Sequence, residues 1–135
     1  MKSLLGTTRR SDVIFRADGH FDLTARVVRA LNISAGDVVD VLSDGCEYYL
    51  YVACRAENTA CGRFEAQVFP SKPKGGGLHF RGSSSRLCKA ILSVSNAVKK
   101  AALPCGEVII NNQGRRLLPI IIRINLAEND TGHQI

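Results

Sequence analysis

The chain has 135 residues, 45% of them apolar and 22% charged, so it is long enough for one buried core and is typical of a globular domain. No apolar run approaches the ~20 residues that cross a bilayer, and the first residues lack the apolar segment of a signal peptide, so neither a membrane protein nor a secreted protein is expected. The net charge of +6 is unevenly spread, because residues 1–62 carry 7 basic and 8 acidic side chains whereas residues 63–123 carry 11 basic and 2 acidic ones.

The first half of the sequence combines strand patterns with one helix pattern. Asp18-Gly19 and Asp44-Gly45 are hairpin-turn signals between apolar runs. Thr24 is a suitable N-cap for a helix, and Asn32 ends that helix because asparagine tolerates the left-handed conformation. The predicted elements are strands over 12–17 and 20–23, a helix over 25–31, and strands over 38–42 and 47–52.

The second half begins with a low-complexity segment, PSKPKGGG at 70–77, which is predicted to be a linker. Ser83-Ser84-Ser85 offers N-caps for a helix with apolar residues at spacings of three and four, and Pro104 stops that helix. The predicted elements are a strand over 64–69, a helix over roughly 86–102, strands over 106–110 and 117–124, and a flexible polar tail over 125–135.

An internal repeat is the most informative feature of the chain, because residues 29–52 and 99–122 align without a gap. Gly36-Asp37 falls on Gly106-Glu107, and apolar strand residues follow this Gly-acid turn in both copies. A repeat of this length cannot bury a core alone, so two copies are expected to pack together, related by a rotation near 180°. The predicted organisation is a single domain, 1–135, built of two units over about 12–55 and 78–124.

Residues 19–41, GHFDLTARVVRALNISAGDVVDV, resemble the AbrB/MazE swapped-hairpin family. The family's usual Arg and Pro are replaced by His20 and Thr24, and of its two consecutive basic helix positions only Arg29 remains. The resemblance implies interleaved hairpins and a role as a DNA-binding transcriptional regulator or antitoxin. The positions that match the family pattern are Gly19, Phe21, Leu23, Val27, Leu31, Ile33, Gly36, Asp37, Val39 and Val41.

The patterns, the repeat and the resemblance together predict a mainly β fold with two helices. Its expected form is a pseudo-twofold small β-barrel of two ββαβ-like units, which is AbrB-like or double-psi-like. Because two units within one chain complete such a barrel, a monomer or a weak homodimer is expected.

No group of residues predicts catalysis, a metal site or a cofactor. Residues 77–84 nearly spell a phosphate-binding P-loop, but Ser83 replaces its lysine. The five cysteines lack CxxC spacing and a secretion signal, so they are interpreted as reduced thiols. Tyr48, Tyr49 and Tyr51 share one strand, where they either stack on single-stranded bases or fill a core and an interface.

The basic second half favours a polyanionic partner, and nucleic acid is the commonest one, although a solvated basic surface is the alternative. The leading prediction is a cytoplasmic, regulator-like protein that binds DNA mainly through phosphate contacts. A protein-interaction, antitoxin-like or assembly module without nucleic-acid binding is the second prediction, and a double-psi-barrel enzyme is the last. The predicted nucleic-acid-binding residues are Arg16, His20, Arg26, Arg29, Lys72, Lys74, Arg81, Arg86, Lys99 and Lys100.

Overall fold

The computed structural model describes residues 10–58, 65–72 and 78–122, and this part of the chain forms nine strands and two helices. The strands are β1 (Val13–Arg16), β2 (His20–Leu23), β3 (Val38–Ser43), β4 (Tyr48–Cys54), β5 (Phe69–Pro70), β6 (Phe80–Ser83), β7 (Lys100–Leu103), β8 (Ile109–Ile110) and β9 (Arg116–Ile120). The helices are α1 (Ala25–Leu31) and α2 (Ser85–Val94). The predicted mainly β class with two helices is confirmed.

The strands form two antiparallel sheets. One has five strands in the order β5-β6-β2-β1-β7, and the other has four in the order β3-β4-β9-β8. A single buried cluster takes residues from both sheets and both helices, so the two sheets share one core. Within the described residues no closed barrel is detected.

Each sheet is joined at its centre by a pairing between the two halves of the chain. In the five-stranded sheet β2 pairs with β6, where His20 faces Ser83 and Leu23 faces Phe80. In the four-stranded sheet β4 pairs with β9, and these strands are the inner members of the hairpins β3–β4 and β8–β9. Neither sheet can therefore form from one half alone.

The second helix is shorter than the sequence pattern predicts. α2 ends at Val94 because Asn96 takes a left-handed φ of 52°, and Ala97 N–H closes the helix by donating to Leu92 O at 2.9 Å. The chain then enters β7, which pairs with β1, so Ala101 and Leu103 are buried on a strand instead of a helix. The predicted helix over 86–102 is wrong beyond Val94.

This shorter helix also breaks the gap-free repeat. Arg29 lies in α1, whereas the aligned segment Lys99 to Leu103 leads into and forms β7. The aligned segments therefore differ in topology at their start, although the hairpins β3–β4 and β8–β9 that follow are both antiparallel. The equivalence of residues 29–52 with 99–122 is wrong in this first part, because the 14 residues between α2 and β8, which include β7, replace the 6 residues between α1 and β3.

The segment between the halves is more structured than predicted at its edges. Pro70, the first residue of the predicted linker 70–77, belongs to β5, and residues 73–77 lie outside the described residues. Among the described residues of the strand predicted over 64–69, only Phe69 belongs to a strand, β5. Ala66 takes a left-handed φ of 62°, which interrupts extended backbone. The predicted tail over 125–135 also lies outside the described residues.

The cysteines are not all reduced. Cys46 and Cys88 are free thiols, whereas Cys54 is disulfide-bonded. The interpretation of all five as reduced thiols is therefore wrong for Cys54, because a disulfide needs only spatial proximity and no CxxC spacing. Disulfides are rare in reducing compartments such as the cytoplasm. The cytoplasmic location stays a prediction. Neither described helix has the length and apolar character of a membrane span.

Candidate nucleic-acid interface

The five-stranded sheet has one buried face. Val13 and Phe15 of β1 and Phe21 and Leu23 of β2 are fully buried. Because side chains alternate between the two faces of a strand, the residues between them project from the opposite, outer face.

Four predicted nucleic-acid-binding residues meet on this outer face. Arg16 of β1 faces Lys100 of β7, and Asp22 of β2 faces Arg81 of β6. Directly opposed residues of an antiparallel pair share a face, and His20 shares the face of Asp22 because it lies two positions away on β2. The face that carries Arg16, His20, Arg81 and Lys100 is called the basic face below.

Asp22 organises the basic face. Its carboxylate accepts hydrogen bonds from Arg16 Nη1 and from Arg81 Nε, the latter at 2.7 Å, and the residue is only 5% exposed. Burial alone would raise the pKa of Asp22, but the hydrogen bonds from Arg81 and Arg16 outweigh it and hold the pKa below its usual value. Two guanidinium groups share one carboxylate, so the cluster keeps a net positive charge.

Sequence reasoning missed Asp22, although a signal for it exists. The alternation that places Phe21 and Leu23 on one face of β2 also places the carboxylate between them on the other face. An acid in the middle of a strand, opposite a basic residue, stabilises cross-strand pairing. The acid therefore fixes the positions of the two arginines beside it.

Phe69 is a second residue that the sequence analysis missed. It lies on β5, faces Arg81 across the pairing with β6, and is 51% exposed. Its neighbour Val68 is fully buried, so the alternation of these two residues is the signal that points Phe69 outward. The basic face therefore ends in an exposed aromatic ring.

Two of the predicted residues hold the fold together. Arg26 of α1 donates to Asp12 Oδ2 at 2.9 Å and to the carbonyl oxygens of Cys105 and Gly106, both at 3.1 Å. Arg86, which lies near the start of α2 as Arg26 does near the start of α1, donates to Glu65 Oε1 at 2.6 Å. Each arginine is thus paired with an acid of its own half of the chain, and neither lies on the basic face.

The remaining predicted residues lie apart from these contacts. Lys99 is exposed just before β7, and Lys72 is exposed just after β5, so they lie at the two edges of the five-stranded sheet. Arg29 is exposed in the last turn of α1. Lys74 lies outside the described residues. The structure therefore groups four of the ten predicted residues on one face and places two more at its edges.

The four-stranded sheet has a different surface character. Its edge strand β8 consists of Ile109 and Ile110, which are 46% and 62% exposed, and Leu42 on the opposite edge strand β3 is 43% exposed. Of the tyrosines, Tyr51 is buried beneath the Arg115 guanidinium, whose carbon lies 5.0 Å from the ring centre. Exposed apolar side chains at a sheet edge are typical of interaction surfaces and favour a protein contact on this side.

Two open clefts lie away from the basic face. One, of about 420 Å³, is lined by residues of α2, β3 and β4. The other, of about 530 Å³, contains Arg55 and Arg116, but Arg55 donates to Asp37 at 2.9 Å and Arg116 to Ala30 O at 3.2 Å. These two arginines have partners close to the C-terminus of α1.

Among the residues that the structure describes, no three His, Cys, Asp or Glu side chains are grouped so that they could hold a metal ion. Burial raises the pKa of the Cys88 thiol, which lies in the core and is unsuited to act as a nucleophile.

No protein-family model matches the chain, and neither a curated protein nor a solved structure does.

Proposed function

We propose that the chain is a DNA-binding, regulator-like protein and that its basic face holds the nucleic-acid backbone. The observation that carries the proposal is the convergence of Arg16, His20, Arg81 and Lys100, which come from four different strands, on one side of one sheet. Cations on a rigid sheet are held at fixed separations, so they match a regular row of phosphates better than cations on mobile loops do.

Binding through phosphates gives affinity with little sequence specificity. Phosphate contacts release condensed counterions, and the affinity then falls linearly with salt on logarithmic scales. Lys72 and Lys99 at the edges of the sheet extend the positive surface beyond the basic face. The excess of basic residues in the second half therefore acts at a defined place and not only through the net charge.

We also propose that the two halves are related by a pseudo-twofold axis and that the fold is AbrB-like in its interleaved hairpins. The registers support this. In the β2–β6 pairing, His20 and Phe80 each begin their strand and face the last residue of the other strand. In the β4–β9 pairing, Tyr49 faces Pro119, and the ungapped repeat makes these two positions equivalent. Each helix follows directly on β2 or β6.

The binding proposal is tested by fluorescence anisotropy with labelled random duplex and single-stranded oligonucleotides at two salt concentrations. The test variant is Lys100→Glu, because Lys100 lies on the basic face, whereas Arg16 and Arg81 also hold Asp22. The matched control is Lys89→Glu, which makes the same charge change on the exposed side of α2.

We expect the wild-type affinity to fall with salt, with a slope near −0.9 for each neutralised phosphate of a duplex or −0.7 for a single strand. Lys100→Glu should weaken binding to all sequences and flatten this slope, while Lys89→Glu should change both much less. An absence of binding to every oligonucleotide at low salt would remove the proposal.

A protein-interaction module is the second candidate, and the exposed Ile109 and Ile110 on the edge strand β8 favour it. An edge strand presents unpaired backbone groups that add a further strand, and exposed apolar side chains increase the gain from burial. Failure of the anisotropy experiment would make this candidate the leading one. The basic face of the protein would in that case be a solvated surface.

A further inference from the structure

We propose that the basic face takes single-stranded nucleic acid in preference to a duplex, with a base stacked on Phe69. This inference rests on the proposed nucleic-acid binding and specifies the substrate class of the same face. It is carried by the aromatic ring at the β5 edge, by the row of cations beside it, and by the absence of any helix on this face among the described residues.

The side chains of the face form a platform that runs across the sheet. Phe69, Arg81, Arg16 and Lys100 follow one another across the sheet on β5, β6, β1 and β7, with β2 between the two arginines. Four strand spacings of about 4.8 Å separate β5 from β7, so the row is about 19 Å long. A row of this length accommodates several nucleotides of an extended strand.

A duplex fits this platform poorly. Proteins that read a duplex insert a helix or a two-stranded ribbon into the major groove. Here α2 packs into the core through Cys88, Ile91 and Leu92, in the same buried cluster as Phe15 and Phe21, and so lies on the other side of the sheet. The basic face lies on a sheet about 19 Å across, which is wider than the ~12 Å major groove, so its side chains reach phosphates on one side of a duplex.

A single strand can make contacts with this face that a duplex cannot make. Its bases are free to stack on an exposed aromatic ring, and stacking tolerates any base because every base has a π-face. Phe69 is 51% exposed beside Arg81, whose planar guanidinium adds a second stacking surface. At the other end of the row, Arg16 and Lys100 face each other and are suited to phosphates. The face thus separates a base-binding end from a phosphate-binding end.

The test compares a 12-nucleotide oligothymidine with a 12-base-pair duplex on the full chain. Phe69→Ala removes an exposed ring and leaves the core intact, and Leu42→Ala is its matched control, since Leu42 is 43% exposed on β3 of the other sheet. The chain contains no tryptophan, so Phe69→Trp and Leu42→Trp each introduce a single tryptophan, whose emission reports stacking directly.

We expect the oligothymidine to bind at least tenfold more tightly than the duplex at the same salt concentration. Phe69→Ala should weaken oligothymidine binding by roughly 5- to 100-fold, the range of one lost base stack, without changing the salt slope. Leu42→Ala should bind as the wild type does. The emission of Trp at position 69 should be quenched by oligothymidine, and that of Trp at position 42 should not.

Duplex binding as tight as that of the single strand, or wild-type affinity of Phe69→Ala, would overturn the inference. If the duplex alone binds and depends on Lys100, the nucleic-acid proposal stands and the single-strand inference falls. If neither oligonucleotide binds at low salt, both fall together.

Discussion

At the scale of single residues, the most consequential side chain is the buried acid of the basic face. Asp22 is nearly inaccessible although it projects from the outer side of the sheet, because Arg16 and Arg81 cover it. Their side chains are 31% and 54% exposed, so the pairs are only partly desolvated. An arrangement of this kind contributes stability in the folded state and depends on the charge of the acid.

Replacing this acid tests its contribution. We expect Asp22→Asn to lower the free energy of unfolding by about 2 kcal/mol, less than for a fully buried pair because both arginines reach solvent. The difference should be fully present above pH ~4, the ordinary range of an aspartate, and should vanish as the pH falls through the lowered pKa of the folded state.

The measurement is urea denaturation of both proteins between pH 7 and pH 2. Glu57→Gln is the control, because Glu57 is exposed in the turn after β4, outside the five-stranded sheet that carries the arginine cluster. A constant difference between wild type and Asp22→Asn over the whole pH range would contradict this account of the cluster.

At the scale of elements, the two helices begin in corresponding ways but with different caps. Ser84 precedes α2 and its hydroxyl accepts a hydrogen bond from Leu87 N–H at 3.1 Å while donating to Glu65 at 2.6 Å. Thr24 precedes α1 with no side-chain cap, and its buried hydroxyl has no partner among the described residues. Only one of the two cap hydroxyls therefore stabilises its helix.

These caps predict opposite results for matched substitutions. Ser84→Ala should lower the free energy of unfolding by about 1–2 kcal/mol, because it removes a helix cap and a partner of Glu65. Thr24→Val should leave stability unchanged or raise it by up to about 1 kcal/mol, since it removes an unpaired buried hydroxyl and keeps the shape. Chemical denaturation of both variants distinguishes these outcomes, and equal losses would refute the difference between the caps.

Elements with a local signal were predicted well from the sequence. Turn residues, residues typical of helix ends and a clear hydrophobic period mark strands β1 to β4 and helix α1 in the sequence. These elements could therefore be predicted without knowledge of the fold. β7 was missed because Ala101 and Leu103 fit a helical period as well as a strand, and the choice is made by the distant partner strand β1. The apolar pattern alone does not contain that partner.

The same limit applies to the site. The excess of basic residues pointed to the second half, but it could not tell which cations share one face of a sheet. Arg26 and Arg86 are engaged by Asp12 and Glu65, which lie far from them in sequence. Phe69 could not be assigned to the basic face without the register of β5 against β6. Composition therefore predicted which half of the chain carries the positive charge, and only the strand pairing shows on which surface each basic residue lies.

At the scale of the whole molecule, the pairing between the halves bears on the oligomeric state. Both central strand pairs, β2–β6 and β4–β9, form within one chain, so no exchange of hairpins with a second chain is needed to complete either sheet. The exposed isoleucines of β8 are apolar surface at one sheet edge, and Leu42 is exposed on the opposite edge strand β3. We expect these edges to support at most a weak contact between chains.

We therefore expect sedimentation equilibrium at micromolar concentration to give the monomer mass of 14.6 kDa. Any dimer at higher concentration should dissociate on dilution and should be weakened by Ile110→Lys, which places a charge on the edge strand. Asn112→Lys, in the exposed turn just after β8, is the matched control. A dimer that persists at all concentrations would show that hairpins are exchanged between chains.

The pairing of β1 with β7 has a further consequence for the order of events during synthesis. β1 is made early, yet its partner residues up to Leu103 lie far along the chain and leave the ribosome much later. At ~5–20 residues per second, the first hairpin waits several seconds with both of its outer edges unpaired. These long loops must close before any contact compensates for the entropy that is lost, and this slows refolding. We expect refolding in the millisecond-to-second range that is typical of chains dominated by non-local pairing. During this time the nascent first half carries unpaired strand edges, which are open to aggregation.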